Sequence, residues 1–138
     1  MNIYFSCSIT GGRKDQQAYQ AIVTALLEDG HEVPTAILAS KDVMAFETII
    51  QPEEVFLRDT AWVEDCDAVV AEVSTPSHGV GYEIALALSL GKPVLCCYQS
   101  GRRVSKMILG NNHPLIQLAE YDELHQIVTL VREFIQGL

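Results

Sequence analysis

Positive charge is scarce in this sequence of 138 residues. Nine lysines and arginines stand against 18 aspartates and glutamates, a formal net charge of −9. A protein that covers a polynucleotide needs a basic surface to displace counterions, so this balance argues against a nucleic acid polymer as partner. It leaves room for one small phosphate ester, which a few backbone N–H groups can hold. Long apolar runs are missing too. No stretch approaches the ~18 apolar residues of a membrane span, and "MNIYFSCSITGG" has neither the basic start nor the apolar length of a secretory signal. The four cysteines, Cys7, Cys66, Cys96 and Cys97, form no C-x-x-C pair, and His31, His78, His113 and His125 show no zinc-ligand spacing. These absences point to a cytoplasmic protein with reduced thiols, no membrane contact and no metal site. Neither G-x-G-x-x-G nor G-x-x-x-x-G-K-[ST] occurs, which removes the main support for dinucleotide and P-loop readings.

Apolar residues make up 49 % of the chain, enough for one full core, so residues 1–138 read as a single domain. Strand-like and helix-like segments alternate. "NIYFSCS" reads as a first strand. The segment after it, through Gly30, reads as a helix with Ala18, Ile22, Val23, Leu26 and Leu27 on one face. "HEVPT" reads as a short second strand, at an edge because of Pro34. Residues 36 to 51 fit either a short helix or a loop. "PEEVFLRDTAWVEDC" is a helix with Pro52 in its first turn and an apolar face of Val55, Leu57, Ala61 and Trp62. "DAVVAEVS" and "KPVLCCYQ" are buried strands; in the second, Cys96 and Cys97 point to opposite faces. The stretch between these two strands, from Ser74 to Pro93, supplies a loop and a helix. "RRVSKMILG" is a short helix, "HPLIQLAEY" holds a fifth strand, and the chain closes on an amphipathic helix with Asp122 as its N-cap. The pattern predicts an α/β domain with a doubly wound, flavodoxin-like parallel sheet of five strands in the order 2-1-3-4-5. Ligands of such sheets bind beyond the carboxyl ends of the strands at the switch point. That brings together "SCSITGG", "STPSHGVGYE" and "QSGRRVS".

Several residues in these loops carry chemistry. Gly11 and Gly12 can expose backbone N–H groups to an anion, with the hydroxyls of Ser8 and Thr10 and the charge of Arg13 nearby. Gly79 and Gly81 permit close approach of a ligand. Glu83, about one turn into its helix, is held ionised by the helix N-terminus and is placed either as a helix-end acid or as a nucleophile toward an electrophilic carbon. Asp59 is either a solvated helix residue or the second carboxylate of an acid/base pair. Two carboxylates with opposite duties suit cleavage of a glycosidic bond. Tyr82 fits core or ligand contact equally, Trp62 reads as core rather than a stacking platform, and Glu72 reads as a strand-end acid or a supporting group.

Four segments, "IYFSCSITGGRKD", "LRDTAWVEDCDAVVAEVSTPSHGVGYEIA", "KPVLCCY" and "SGRRVSKMILG", resemble in order the nucleoside 2-deoxyribosyltransferase superfamily, and most closely its hydrolytic branch, the 2′-deoxynucleoside 5′-monophosphate N-glycosidases. The resemblance implies Glu83 as the nucleophile at the anomeric carbon, Asp59 as manager of the leaving base's proton and Tyr4 beside the sugar. It implies Ser8, Ser77 and Ser105 as phosphate ligands, Ser105 arriving from the second subunit of a homodimer, with Gly79 and Gly81 near the ligand. No cofactor is required. Thr10 departs from the pattern: it replaces an arginine of the mammalian-type hydrolases before the glycine pair, leaving Arg13, Arg102 or Arg103 to supply the charge. Ser77 stands near an acid of the transferase branch, and a serine there favours a phosphate, which an acid would repel. The resemblance also admits base exchange, ribonucleotide hydrolysis, which the Tyr4 hydroxyl disfavours, and a non-catalytic nucleotide-binding module.

Overall fold

The structure is a computed structural model and describes residues 1–9, 14–40 and 49–138. Four parallel strands, β1 (Ile3–Ser6), β2 (Ala68–Glu72), β3 (Val94–Gln99) and β4 (Ile116–Tyr121), lie side by side in the order β1-β2-β3-β4. The register pairs Tyr4 with Val69, Val70 with Leu95 and Cys96 with Leu118. Every residue of β1 and β2 is buried, as both faces of these strands are covered, whereas β4 exposes Gln117 and Glu120 between half-buried and buried positions.

The helices divide between the two faces. On one, α1 (Gln16–Glu28) and α5 (Leu124–Gln136) pack Tyr19, Ile22, Ile127 and Val131 onto Ile3, Phe5, Val70, Leu95 and Cys97. On the other, α2 (Pro52–Asp65), α3 (His78–Ser89) and the short α4 (Lys106–Leu109) bring Val63, Val80, Ile84 and Ile108 against Tyr4, Val69, Ala71 and Cys96. Cys96 and Cys97 thus enter different cores, as the period of two requires. Burial pushes the Cys96 thiol up to about 12, and Cys97 higher still, which suits packing rather than reactivity. Among the described residues no helix is long and apolar enough to cross a membrane.

The fifth strand is a correction. The expected second strand contributes a single parallel bridge, Asn2 to Glu32, beside β1. Ile3 N–H donates to Glu32 O at 2.8 Å and Glu32 N–H to Met1 O at 2.9 Å. The next rung of a parallel ladder would need an N–H from residue 34, which is proline and has none. Phe5 N–H donates instead to the Thr35 hydroxyl at 2.9 Å, and the chain turns into a 3₁₀ helix over Ala36–Ala39. The sheet therefore keeps the expected neighbours with four strands instead of five.

Two smaller expectations also shift. Glu123, not Asp122, is the N-cap of α5: the Gln126 carboxamide oxygen reaches back to accept from the backbone N–H of Asp122 and Glu123 at 2.8 and 2.9 Å. Leu27 and Leu57, placed by periodicity on apolar faces, are 50 % and 66 % exposed.

Candidate active site

β1 aims alternate side chains at alternate faces. Tyr4, Ser6 and Ser8 therefore share the parity opposite to Ile3, Phe5 and Cys7, and all three are fully buried. The loop after β2 ends at Ser77, which caps α3 by accepting from Val80 N–H at 3.5 Å. The second turn of α3 then turns Glu83 back toward the sheet. Ser6 Oγ donates to Glu83 Oε2 at 2.5 Å. The buried Tyr4 hydroxyl is directed at the same carboxylate without completing a hydrogen bond among the described residues. Opposite them α2 presents Asp59, whose Oδ1 is paired with Arg58 Nε at 2.8 Å. The Arg58 guanidinium lies over the Trp62 ring, 5.0 Å from its centroid.

Asp59, Gly79 and Glu83 line one cavity of about 410 Å³ between α2 and α3, otherwise walled by Val55, Phe56, Tyr82 and Leu86. Phe56 and Tyr82 meet edge to face across it with centroids 6.1 Å apart. The electrostatics amend one expectation. Glu83 is not held down by its helix; burial lifts its carboxyl above the ordinary range, the Ser6 hydroxyl that donates to it and the Tyr4 hydroxyl directed at it pull it back in part, and the Asp59 charge lifts it again. Burial also pushes the Tyr4 phenol well up, and the charges of Glu83 and Asp59 add to this, so the phenol stays a proton donor.

A second cavity, about 570 Å³, opens on the other side of α3 and is lined by Thr75, Ser77, Gly81, Val104, Ser105 and Met107. Ser105 is the N-cap of α4 and accepts from Met107 N–H at 3.2 Å. The structure thus gathers Glu83, Asp59, Tyr4 and Gly79 on one flank of α3, and Ser77, Gly81 and Ser105 on the other. A Cβ built on Gly79 would lie 3.9 Å from both Glu83 Oε1 and Ser77 Oγ, so this residue sits between the two groups. Ser8 Oγ is buried with no partner among the described residues. Thr10, Gly11, Gly12 and Arg13 lie outside the described residues. His78 and Arg103 are exposed. Arg102 is committed to Asp15 through two hydrogen bonds, at 2.9 and 3.0 Å.

Glu72, at the end of β2, is fully buried and accepts from the Ser74 hydroxyl and, at 2.9 Å, from Tyr121 Oη. Ser74 Oγ in turn accepts from Gln99 N–H at 2.8 Å. Glu72 therefore joins the ends of three strands and lies apart from the carboxylate pair. Ser6 escaped the sequence reading although its position between Tyr4 and Ser8 on one face of β1 was a usable signal. Asp15 and Thr75 escaped it too; nothing in the sequence pairs them with Arg102.

The family model for nucleoside 2-deoxyribosyltransferase matches residues 3–124. The chain belongs to that family. Within this nucleoside 2-deoxyribosyltransferase family, it is 37 % identical over 140 residues to the 5-hydroxymethyl-dUMP N-hydrolase of Mus musculus, covering 99 % of this chain and 80 % of the relative. It is 36 % identical over 141 residues to the enzyme of the same name from Danio rerio, covering 100 % and 98 %. Among solved structures, the Clostridium botulinum CMP N-glycosidase BcmB superposes with a TM-score of 0.69 at 17 % identity, over 94 % of this chain and 98 % of that one. This last likeness is one of fold.

Proposed function

We propose that the protein hydrolyses the N-glycosidic bond of 2′-deoxynucleoside 5′-monophosphates, giving free base and 2-deoxyribose 5-phosphate. The observation that carries this reading is the meeting of Glu83 and Asp59 on one cavity with the Tyr4 and Ser6 hydroxyls behind the nucleophile. The names of the animal relatives, both N-hydrolases of a deoxynucleotide, support the same reaction. The Glu83 carboxylate attacks C1′ as the C1′–N bond breaks, through an oxocarbenium-like transition state. The departing base takes a proton from solvent by way of Asp59, and the Asp59 carboxylate accepts the proton of the water that resolves the glycosyl ester. The Tyr4 and Ser6 hydroxyls orient the nucleophile. The apolar walls from Val55, Phe56 and Leu86 suit the base.

The phosphate falls to Ser8, Ser77 and the loop of Thr10 and Gly11, with Gly79 and Gly81 beside the ligand and Ser105 supplied by a second copy of the chain. The chain needs no cofactor for these steps. Four buried free cysteines suit the cytoplasm, where thiols stay reduced. The test is chromatography after incubation with deoxynucleoside and ribonucleoside monophosphates and free nucleosides. Base and sugar phosphate should appear from the deoxynucleotides first; no release from any of them rejects the reading. A second reading, transfer of the deoxyribosyl group to another base, is favoured by the description of the matching family. A foreign free base added to the same incubation separates the two, since exchange product exceeding sugar phosphate means transfer.

A further inference from the structure

Asp15 occupies the N-cap of α1, where an aspartate ordinarily accepts from the first turn of its own helix. Its side chain makes no such bond. Both carboxylate oxygens face a different loop instead. Arg102 Nη1 donates to Oδ1 at 2.9 Å and Nη2 to Oδ2 at 3.0 Å, while Thr75 Oγ1 donates to Oδ2 at 2.6 Å. Arg102 Nη2 also reaches the Thr75 hydroxyl oxygen at 3.2 Å. The Asp15 side chain is only 5 % exposed. A fork-on-fork pair of this kind fixes orientation as well as distance.

The three residues come from three strand ends: Asp15 follows β1, Thr75 follows β2 and Arg102 follows β3. Each shares its connection with a serine proposed to hold a phosphate: Ser8 and Ser77 in the site of the same protomer, and Ser105 in that of a second copy. A buried ion pair adds little net stability by itself, and this one leaves a helix uncapped. Its distinctive effect is to hold three loops in fixed register.

We propose that Asp15, Thr75 and Arg102 form a clamp that sets the spacing of the loops that receive the 5′-phosphate, acting as positioning residues for monophosphate over nucleoside. The proposal rests on the monophosphate reading of the site. Neutral hydroxyl and backbone donors hold a phosphate well only when they are pre-set, because ordering them on binding costs affinity. The pairing also neutralises Asp15. A bare carboxylate there would repel the phosphate dianion, so loss of Arg102 harms more than loss of Thr75.

The test is calorimetric titration of folded variants with a deoxynucleoside 5′-monophosphate and with the same deoxynucleoside lacking its phosphate, alongside base release from both. Thr75→Val lowers monophosphate affinity roughly ten-fold, the scale of one lost hydrogen bond to a charged group, with nucleoside affinity little changed; Thr75→Ser restores it. Arg102→Gln lowers it further, and adding Asp15→Asn recovers part of that loss. Should Thr75→Val not fold, Arg102→Lys, which keeps the charge and loses the fork, is read in the same way. Equal losses for both ligands across the series, or unchanged monophosphate affinity in a folded clamp variant, overturn the clamp. So does a wild type that binds the monophosphate no more tightly than the nucleoside. A wild type that binds the monophosphate and releases no base rejects the hydrolase reading alone, and the affinity ratios still judge the clamp.

Discussion

As the proposed nucleophile, Glu83 is needed as a carboxylate in a place where burial disfavours that form. The acid limb of kcat/KM for base release is therefore expected above the ordinary carboxylate range. Ser6 donates to the ionised form and holds the pKa down, so Ser6→Ala should move that limb to higher pH. A pH–rate profile that stays put in the variant would remove Ser6 from the site. Glu83→Gln should lose at least about 10³-fold in base release with the fold intact by circular dichroism. Asp59→Asn should lose about 10²- to 10⁴-fold, measured by chromatography with the same substrate. Glu83 was legible in the sequence because spacing put its loop at a strand end, Asp59 because a second carboxylate made a pair with it, and Tyr4 through the family likeness alone. Ser6 was passed over although it shares a face of β1 with Tyr4 and Ser8, because its task shows only in its partner 77 positions away.

At the scale of elements, the helices were legible from periodicity and from their end signals. Gly30 closes α1 with φ at +81°, and a Cβ there would meet nothing within 4 Å. Gly30→Ala should therefore cost about 1–2 kcal/mol through backbone strain alone, read as a lowered urea midpoint at unchanged slope. Leu27 and Leu57 show the limit of periodicity, which finds a face but not how far the neighbouring element covers it. The second strand failed for a local reason, a proline at the rung where the ladder needed a donor. Glu72 ties the ends of β2, β3 and β4, and its burial raises its carboxyl from 4.5 to about 7. The folded chain thus holds a proton that the unfolded chain gives up near 4.5. The stability this brings is complete below pH 4.5 and is lost as pH rises through about 7. Melting temperature should fall across that window, and Glu72→Gln should flatten the fall.

For the whole molecule, alternation of strands and helices was enough to place the crevice at the carboxyl ends of the strands. It was not enough to say that α3 divides that crevice, with the carboxylates on one flank and Ser77 and Ser105 on the other. The second flank has an apolar rim: Met107, beside Ser105, is 83 % exposed. A second copy seated there would cover this rim and carry its own Ser105 toward the phosphate. Met107→Glu should then shift the protein from dimer to monomer in sedimentation velocity and cut monophosphate turnover with it. A wild type that sediments as a monomer at micromolar concentration would detach Ser105 from the site.

The margin of the sheet beside β1 has a further consequence. An exposed strand edge with a row of free backbone donors and acceptors is a template on which other chains can grow. Pro34 and the Thr35 hydroxyl close that row after one rung, the first by having no donor to offer and the second by occupying Phe5 N–H. The same two residues that shorten the sheet also blunt it. Thr35→Val, which leaves the buried Phe5 amide without a partner, should cost about 1–3 kcal/mol, read as a lowered urea midpoint, and open this margin to strand-to-strand aggregation as the protein loosens.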